Sequence, residues 1–142
     1  MNYKQLLKFY FCADGLNGML DALLMRFALS SADAIKGCEH YAQKMCRIIG
    51  DKAALSELWS FLDKALSSVT EEDRRVLKAY SLSRRRAKGG RGGVTAEEGK
   101  ALHRSLVKFS RRVSGRLKCF AEQVNVLRQY YCLVGASADE GG

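Results

Sequence analysis

Apolar residues recur every three or four positions along most of this chain, which is the interval of one face of an α-helix. Leu6, Phe9, Tyr10, Ala13, Leu16, Met19, Leu20, Leu23, Leu24 and Phe27 keep it without interruption. The spacing predicts a first helix from Tyr3 to Leu29, with Gly15 and Gly18 as small residues that let a neighbouring helix approach. Ile35, Cys38, Tyr41, Ala42, Met45, Ile48 and Ile49 make a second amphipathic stretch, which Gly50 is expected to stop. Asp51 then reads as the N-cap of a third helix with the face Leu55, Leu58, Trp59, Leu62, Leu66 and Val69.

Thr70 followed by Glu71, Glu72 and Asp73 is a helix start, with a hydroxyl cap first and acids where the helix dipole favours them. This fourth helix continues through Val76, Leu77 and Tyr80. Thr95 to Glu98 forms a capping box, and behind it Leu102, Leu106, Phe109, Val113, Leu117, Phe120, Val124, Leu127 and Tyr131 keep the helical interval. One helix from Ala96 to Leu133 would be about 57 Å long, against a diameter of about 40 Å for a domain of this size. Ser114 and Gly115 are the natural place for it to break. Trp59, Phe61, Tyr130 and Tyr131 sit at helical spacings and are expected to pack in the core.

The fold expected is therefore all-α, a bundle of five or six helices. Residues 1–69 form its first part, and residues 70–134 hold basic helices that pack on that part. Residues 135–142 carry no apolar anchor and are expected to be a disordered tail. The complete absence of proline among 142 residues agrees with long uninterrupted helices.

Charge changes the picture. The net charge is +9, but it is concentrated. Between Arg74 and Lys118 lie fifteen basic residues and two acids, a net of +13, and the rest of the chain is −4. Such an asymmetry points to a polyanionic partner. Within that window Arg104, Lys108, Arg111, Arg112 and Lys118 fall three, four or seven residues apart, on a face away from the Leu102–Phe109–Val113 stripe. Lysines and arginines on such a face suit the phosphate backbone, whose condensed counterions they displace. Arg84, Arg85, Arg86 and Lys88 lead into Gly89-Gly90-Arg91-Gly92-Gly93, a glycine loop able to mould its arginines to phosphates.

Catalytic chemistry is not signalled. His40 and His103 stand on separate predicted helices, and no Gly-x-Ser-x-Gly or Walker pattern occurs. Cys38, His40 and Cys46 offer three zinc ligands without a fourth, so neither a metal nor a cofactor is expected. The five cysteines contain no C-x-x-C pair and are expected to be reduced, buried thiols. No run of 18 apolar residues occurs, so no membrane span is expected, and with no recognisable signal peptide at the start a cytoplasmic protein is the expectation.

Val69-Thr70-Glu71-Glu72-Asp73-Arg74-Arg75-Val76-Leu77-Lys78-Ala79-Tyr80 resembles the first helix of the fourth region of sigma-70-type RNA polymerase factors. Leu102 to Arg112 is similar to the basic closing helix of that region; between the two pieces, where the family carries its helix-turn-helix signature, this chain has the segment Ser81 to Val94 and lacks that signature. The resemblance implies a small bacterial or mobile-element protein with a transcription-associated role, DNA as ligand and RNA polymerase as a partner. The reading favours DNA over RNA, with contacts from Arg84, Arg85, Arg86, Lys88, Arg91, Arg104, Lys108, Arg111, Arg112 and Lys118. Two alternatives stay open: an RNA-binding protein using the arginine–glycine loop, and an interaction module meeting an acidic protein. In the module reading, Phe9, Tyr10 and Phe11 offer a homodimer seam.

Overall fold

The computed structural model describes the backbone of residues 2–33, 38–83 and 96–140. Within these ranges it describes all side chains except those of 27, 30–33, 38–41, 96 and 132–140. The described residues form six α-helices: α1 (Tyr3–Phe11), α2 (Ala13–Asp33), α3 (Cys38–Ser67), α4 (Glu71–Leu82), α5 (Ala96–Val113) and α6 (Ala121–Glu140). A single 3-10 turn over Leu117–Phe120 precedes α6. No strand occurs among the described residues, so the all-α bundle expected from the spacing is what forms.

The first apolar run is two helices. Asn2 caps α1 reciprocally: its Oδ1 accepts from the Gln5 amide at 2.9 Å, and its own amide donates to Gln5 Oε1 at 3.0 Å. Cys12 ends α1 with φ −109° and ψ 12°, a backbone setting outside the helical basin. The bend lets the two segments serve different neighbours. α1 packs against α4, whereas α2 lies along α3 and α6. Apolar spacing does not register such a bend, because the interval of three to four residues is kept across it.

Conversely, the second and third predicted helices are one. Gly50 does not stop α3, and Asp51 does not cap it; both lie inside a continuous helix. A helical glycine costs about 1 kcal/mol relative to alanine. Ile48, Leu55, Leu58 and Leu62 are buried on either side of it, and burial of a single leucine or isoleucine contributes about 1.5–3 kcal/mol. Anchorage on both flanks therefore outweighs the local penalty. Asp51 instead accepts a 2.6 Å hydrogen bond from the Tyr130 hydroxyl. Burial, and then that carboxylate, push the Tyr130 hydroxyl up to about 12. Gly18 likewise does not serve a close helix approach, since a Cβ there would meet nothing within 4 Å.

α3 is the spine. Asp21 pairs with Lys52, and the Trp59 indole donates to the Tyr10 carbonyl at 3.1 Å, so the chain before α3 runs antiparallel to it. On another side Gln123 donates to Glu57 at 2.8 Å and Phe120 stacks on Phe61 at 4.4 Å. With Tyr130 on Asp51, these contacts lay α6 antiparallel along α3. Leu6, Leu7, Phe9, Leu16, Leu20, Leu55, Leu58, Leu62, Leu66, Leu77, Phe109, Val113 and Leu127 form one shared core. Trp59, Phe61 and Tyr130 pack against its edge, as expected. Phe9 and Tyr10 are buried inside it, so they belong to the chain's own core and not to an intermolecular seam.

The long last helix breaks where the glycine predicts. α5 ends at Val113, the chain turns through Ser114–Arg116, and the 3-10 turn leads into α6. α6 continues to Glu140, through the first six residues of the ending that lacks an apolar anchor. Cys12 is half-buried, and burial raises its thiol pKa. Cys46 and Cys119 are exposed, which corrects the expectation of buried thiols at these two positions; each sits on the solvent side of its helical turn. Among the described residues no helix is long and apolar enough to cross a membrane.

Candidate nucleic-acid interface

The interface is organised by the start of α4. Thr70 is the N-cap: its Oγ1 accepts from the Asp73 amide at 3.1 Å and donates to Asp73 Oδ2 at 2.8 Å. The Asp73 carboxylate is nearly buried and faces α5. There it accepts from Ser105 Oγ at 2.8 Å and from Lys108 Nζ at 2.9 Å. The Lys108 hydrogen bond, aided by those from Thr70 and Ser105 and opposed by burial, lowers the Asp73 carboxyl to about 2. The acid cluster that marks a helix start in the sequence thus also supplies a pin between two helices.

A second pin lies on the other side of α4. The Tyr10 hydroxyl donates to Asp63 Oδ1 at 2.6 Å and accepts from Arg74 at 2.6 Å. Its ring stacks on Trp59 at 5.1 Å. Burial and the Asp63 carboxylate raise the Tyr10 pKa, so the hydroxyl keeps its proton across the neutral range.

Basic side chains, the pinned Lys108 and Arg74 among them, line two grooves that meet at Val69. One, of about 410 Å³, is bounded by Ser68, Val69, Thr70, Asp73, Lys108, Arg111 and Arg112. The other, of about 530 Å³, is bounded by Leu66, Ser67, Val69, Glu71, Arg74, Arg75 and Lys78. Among the described residues Arg111 and Arg112 are exposed and make no ion pair. A third concavity, by Gly99, Lys100, His103 and Arg104, continues the basic face toward the start of α5.

The sequence-predicted residues divide three ways. Arg104, Lys108, Arg111 and Arg112 share the exposed face of α5, as their spacing requires. Lys108 is tied to Asp73, so it is partly neutralised. Lys118 lies past the break on the 3-10 turn, so α5 does not carry it. Arg84, Arg85, Arg86, Lys88 and Arg91 lie outside the described residues. Arg74, Arg75 and Lys78 line the second groove without having been singled out in the sequence. Their i, i+1, i+4 spacing on α4, with Glu71 one turn earlier, was the available signal.

No family model, curated protein or solved structure matches this chain.

Proposed function

We propose that this protein binds nucleic acid, DNA in preference to RNA, by phosphate contacts from the exposed face of α5. The observation that carries the reading is the pair Arg111 and Arg112. They are exposed, without an ion pair among the described residues, and set in a groove beside Thr70 and Ser68. Arginine presents a planar fork that matches phosphate oxygens, and an uncompensated cluster on one helix face attracts a polyanion over several ångströms. The preference for DNA, and a transcription-associated role with RNA polymerase as a partner, rest on the likeness of residues 69–80 and 102–112 to sigma-factor helices. The reading is of a binding module, because it rests on a cationic surface and not on a reacting group.

The test is equilibrium binding of a short random-sequence duplex DNA, and of a single-stranded RNA of equal length, across a salt series. Affinity for the duplex is expected to fall linearly in log–log form, with a slope of about 0.9 per phosphate neutralised. Replacing Arg111 and Arg112 by alanine should reduce that slope by roughly 2. Absence of duplex binding at about 50 mM salt, where non-specific contacts are strongest, would remove the proposal. Tighter binding to the RNA would transfer it to that ligand, and binding only to an acidic polypeptide would replace it with the interaction-module reading.

A further inference from the structure

We infer that the nucleic-acid path continues from α5 across the Ser67–Thr70 turn onto α4, where Arg75 and Lys78 form a second phosphate seat. This rests on the reading of α5 as the primary contact and extends it to a surface that its residues do not reach.

Two cations of this surface are already committed to acids of the fold. Arg74 is bonded to the Tyr10 hydroxyl and lies 3.9 Å from Asp63; Lys108 is bonded to Asp73. Both are structural. Arg75 and Lys78 differ. Among the described residues Arg75 has one ion-pair partner, Glu71, at 3.7 Å, with the two side chains 80% and 85% exposed. Such an exposed i, i+4 pair is weak and is screened by salt, so a phosphate can displace the carboxylate. Lys78 Nζ stands 5.9 Å from the centre of the Phe11 ring, which steadies the ammonium without neutralising it.

Position completes the argument. Arg75 and Lys78 line the groove of about 530 Å³, and Arg111 and Arg112 line that of about 410 Å³. The two share Val69, so only the short turn separates them. A backbone laid over that turn meets cations on both flanks. Asp73 and Asp63 beneath it are paired with Lys108 and Arg74. Glu71, the acid lining the α4 groove, is the one a phosphate would displace from Arg75.

Three double variants test this with the same duplex and salt series, each checked for an unchanged thermal melt. Arg75→Ala/Lys78→Ala and Arg111→Ala/Arg112→Ala are each expected to weaken binding and to lower the salt slope by about 2. Their combination should lower it by about 4, because each phosphate neutralised adds its own share to the slope. Arg26→Ala/Arg128→Ala removes the same charge from exposed positions on α2 and α6 and is expected to leave the slope alone. If the α4 pair binds like the parent while the α5 pair loses affinity, the second seat is wrong and the α5 reading stands. Should the α2/α6 control lose as much as the α4 pair, net charge accounts for the effect and the seat is overturned. A parent chain that binds no duplex at all removes both.

Discussion

Two sets of cations sit within a few residues of each other on α4 and α5 and have opposite fates. Arg74 and Lys108 lie at helix–helix seams, and each meets an acid: Arg74 meets Asp63 through the Tyr10 hydroxyl, and Lys108 bonds Asp73 directly, where Thr70 and Ser105 also donate. Arg75, Arg111 and Arg112 lie one position or one turn away and point to solvent. The difference teaches that a basic window is not one surface. A cation at a seam is tied by a short hydrogen bond although its side chain stays 41% (Arg74) or 53% (Lys108) exposed, whereas one on the outer face has no such short bond and can exchange water for phosphate. Charge counting along the chain treats both sets alike; packing leaves only the outer one open to a ligand.

The largest expected effect comes from removing the acid that distinguishes the sets. Asp73→Ala leaves Lys108 and Ser105 without their acceptor and weakens the start of α4. A charge-assisted, nearly buried hydrogen-bond hub of this kind should cost about 2–3 kcal/mol, or about 10 °C in melting temperature. Acid should reproduce the loss in the parent. The Asp73 carboxyl is lowered to about 2 from an ordinary 3.8, so its contribution is fully present above about pH 4 and fades as pH falls toward 2. Thermal melts of parent and variant should therefore converge over that window. A variant as stable as the parent at pH 7 would mean that the seam does not need its acid, and the comparison would fail.

This hub also shows how far the sequence could be read. Thr70 as N-cap, the acids behind it and the break after Val113 were legible because each depends on near neighbours in the chain. The partnership of Asp73 with Lys108 spans 35 residues, and nothing in either helix alone announces it. The same limit explains Gly50 and Cys12. Glycine reads locally as a stop, yet α3 is held on both sides by α2 and α6. The bend at Cys12 preserves the apolar interval and leaves no mark on it. On the surface, the exposed face of α5 followed from periodicity, while Arg75 and Lys78 emerged only when the α3–α4 turn set their groove beside that of Arg111.

A smaller effect sharpens the comparison from the other seam. Tyr10→Phe keeps the ring stacked on Trp59 but removes the hydroxyl between Asp63 and Arg74, which then face each other at 3.9 Å. Losing a half-buried bridge of two 2.6 Å hydrogen bonds should cost about 1–2 kcal/mol in denaturant titration, with an unchanged m-value. The raised Tyr10 pKa gives a sign check: the bridge is present below the ordinary tyrosine value of 10.0 and is lost as pH rises through the higher folded value. Nucleic-acid affinity at neutral pH should stay within twofold, because neither partner is an outer cation. A large loss of binding in a folded Tyr10→Phe protein would show Arg74 acting on the ligand, and the division into inner and outer cations would need redrawing.

The smallest stability effect is the one that separates the two sets most cleanly. Arg111→Ala/Arg112→Ala touches no ion pair among the described residues, and both positions are exposed. Alanine has the higher helix propensity, and the outer arginines repel one another, which offsets the lost favourable placement near the C-terminus of α5. The net change in unfolding free energy should therefore stay within about 0.5 kcal/mol, measured beside Asp73→Ala in one denaturant series. If instead the pair costs as much as Asp73→Ala, the arginines hold the fold as Lys108 does. The exposed face of α5 would then be a structural seam, and its claim on a phosphate backbone would fall with it.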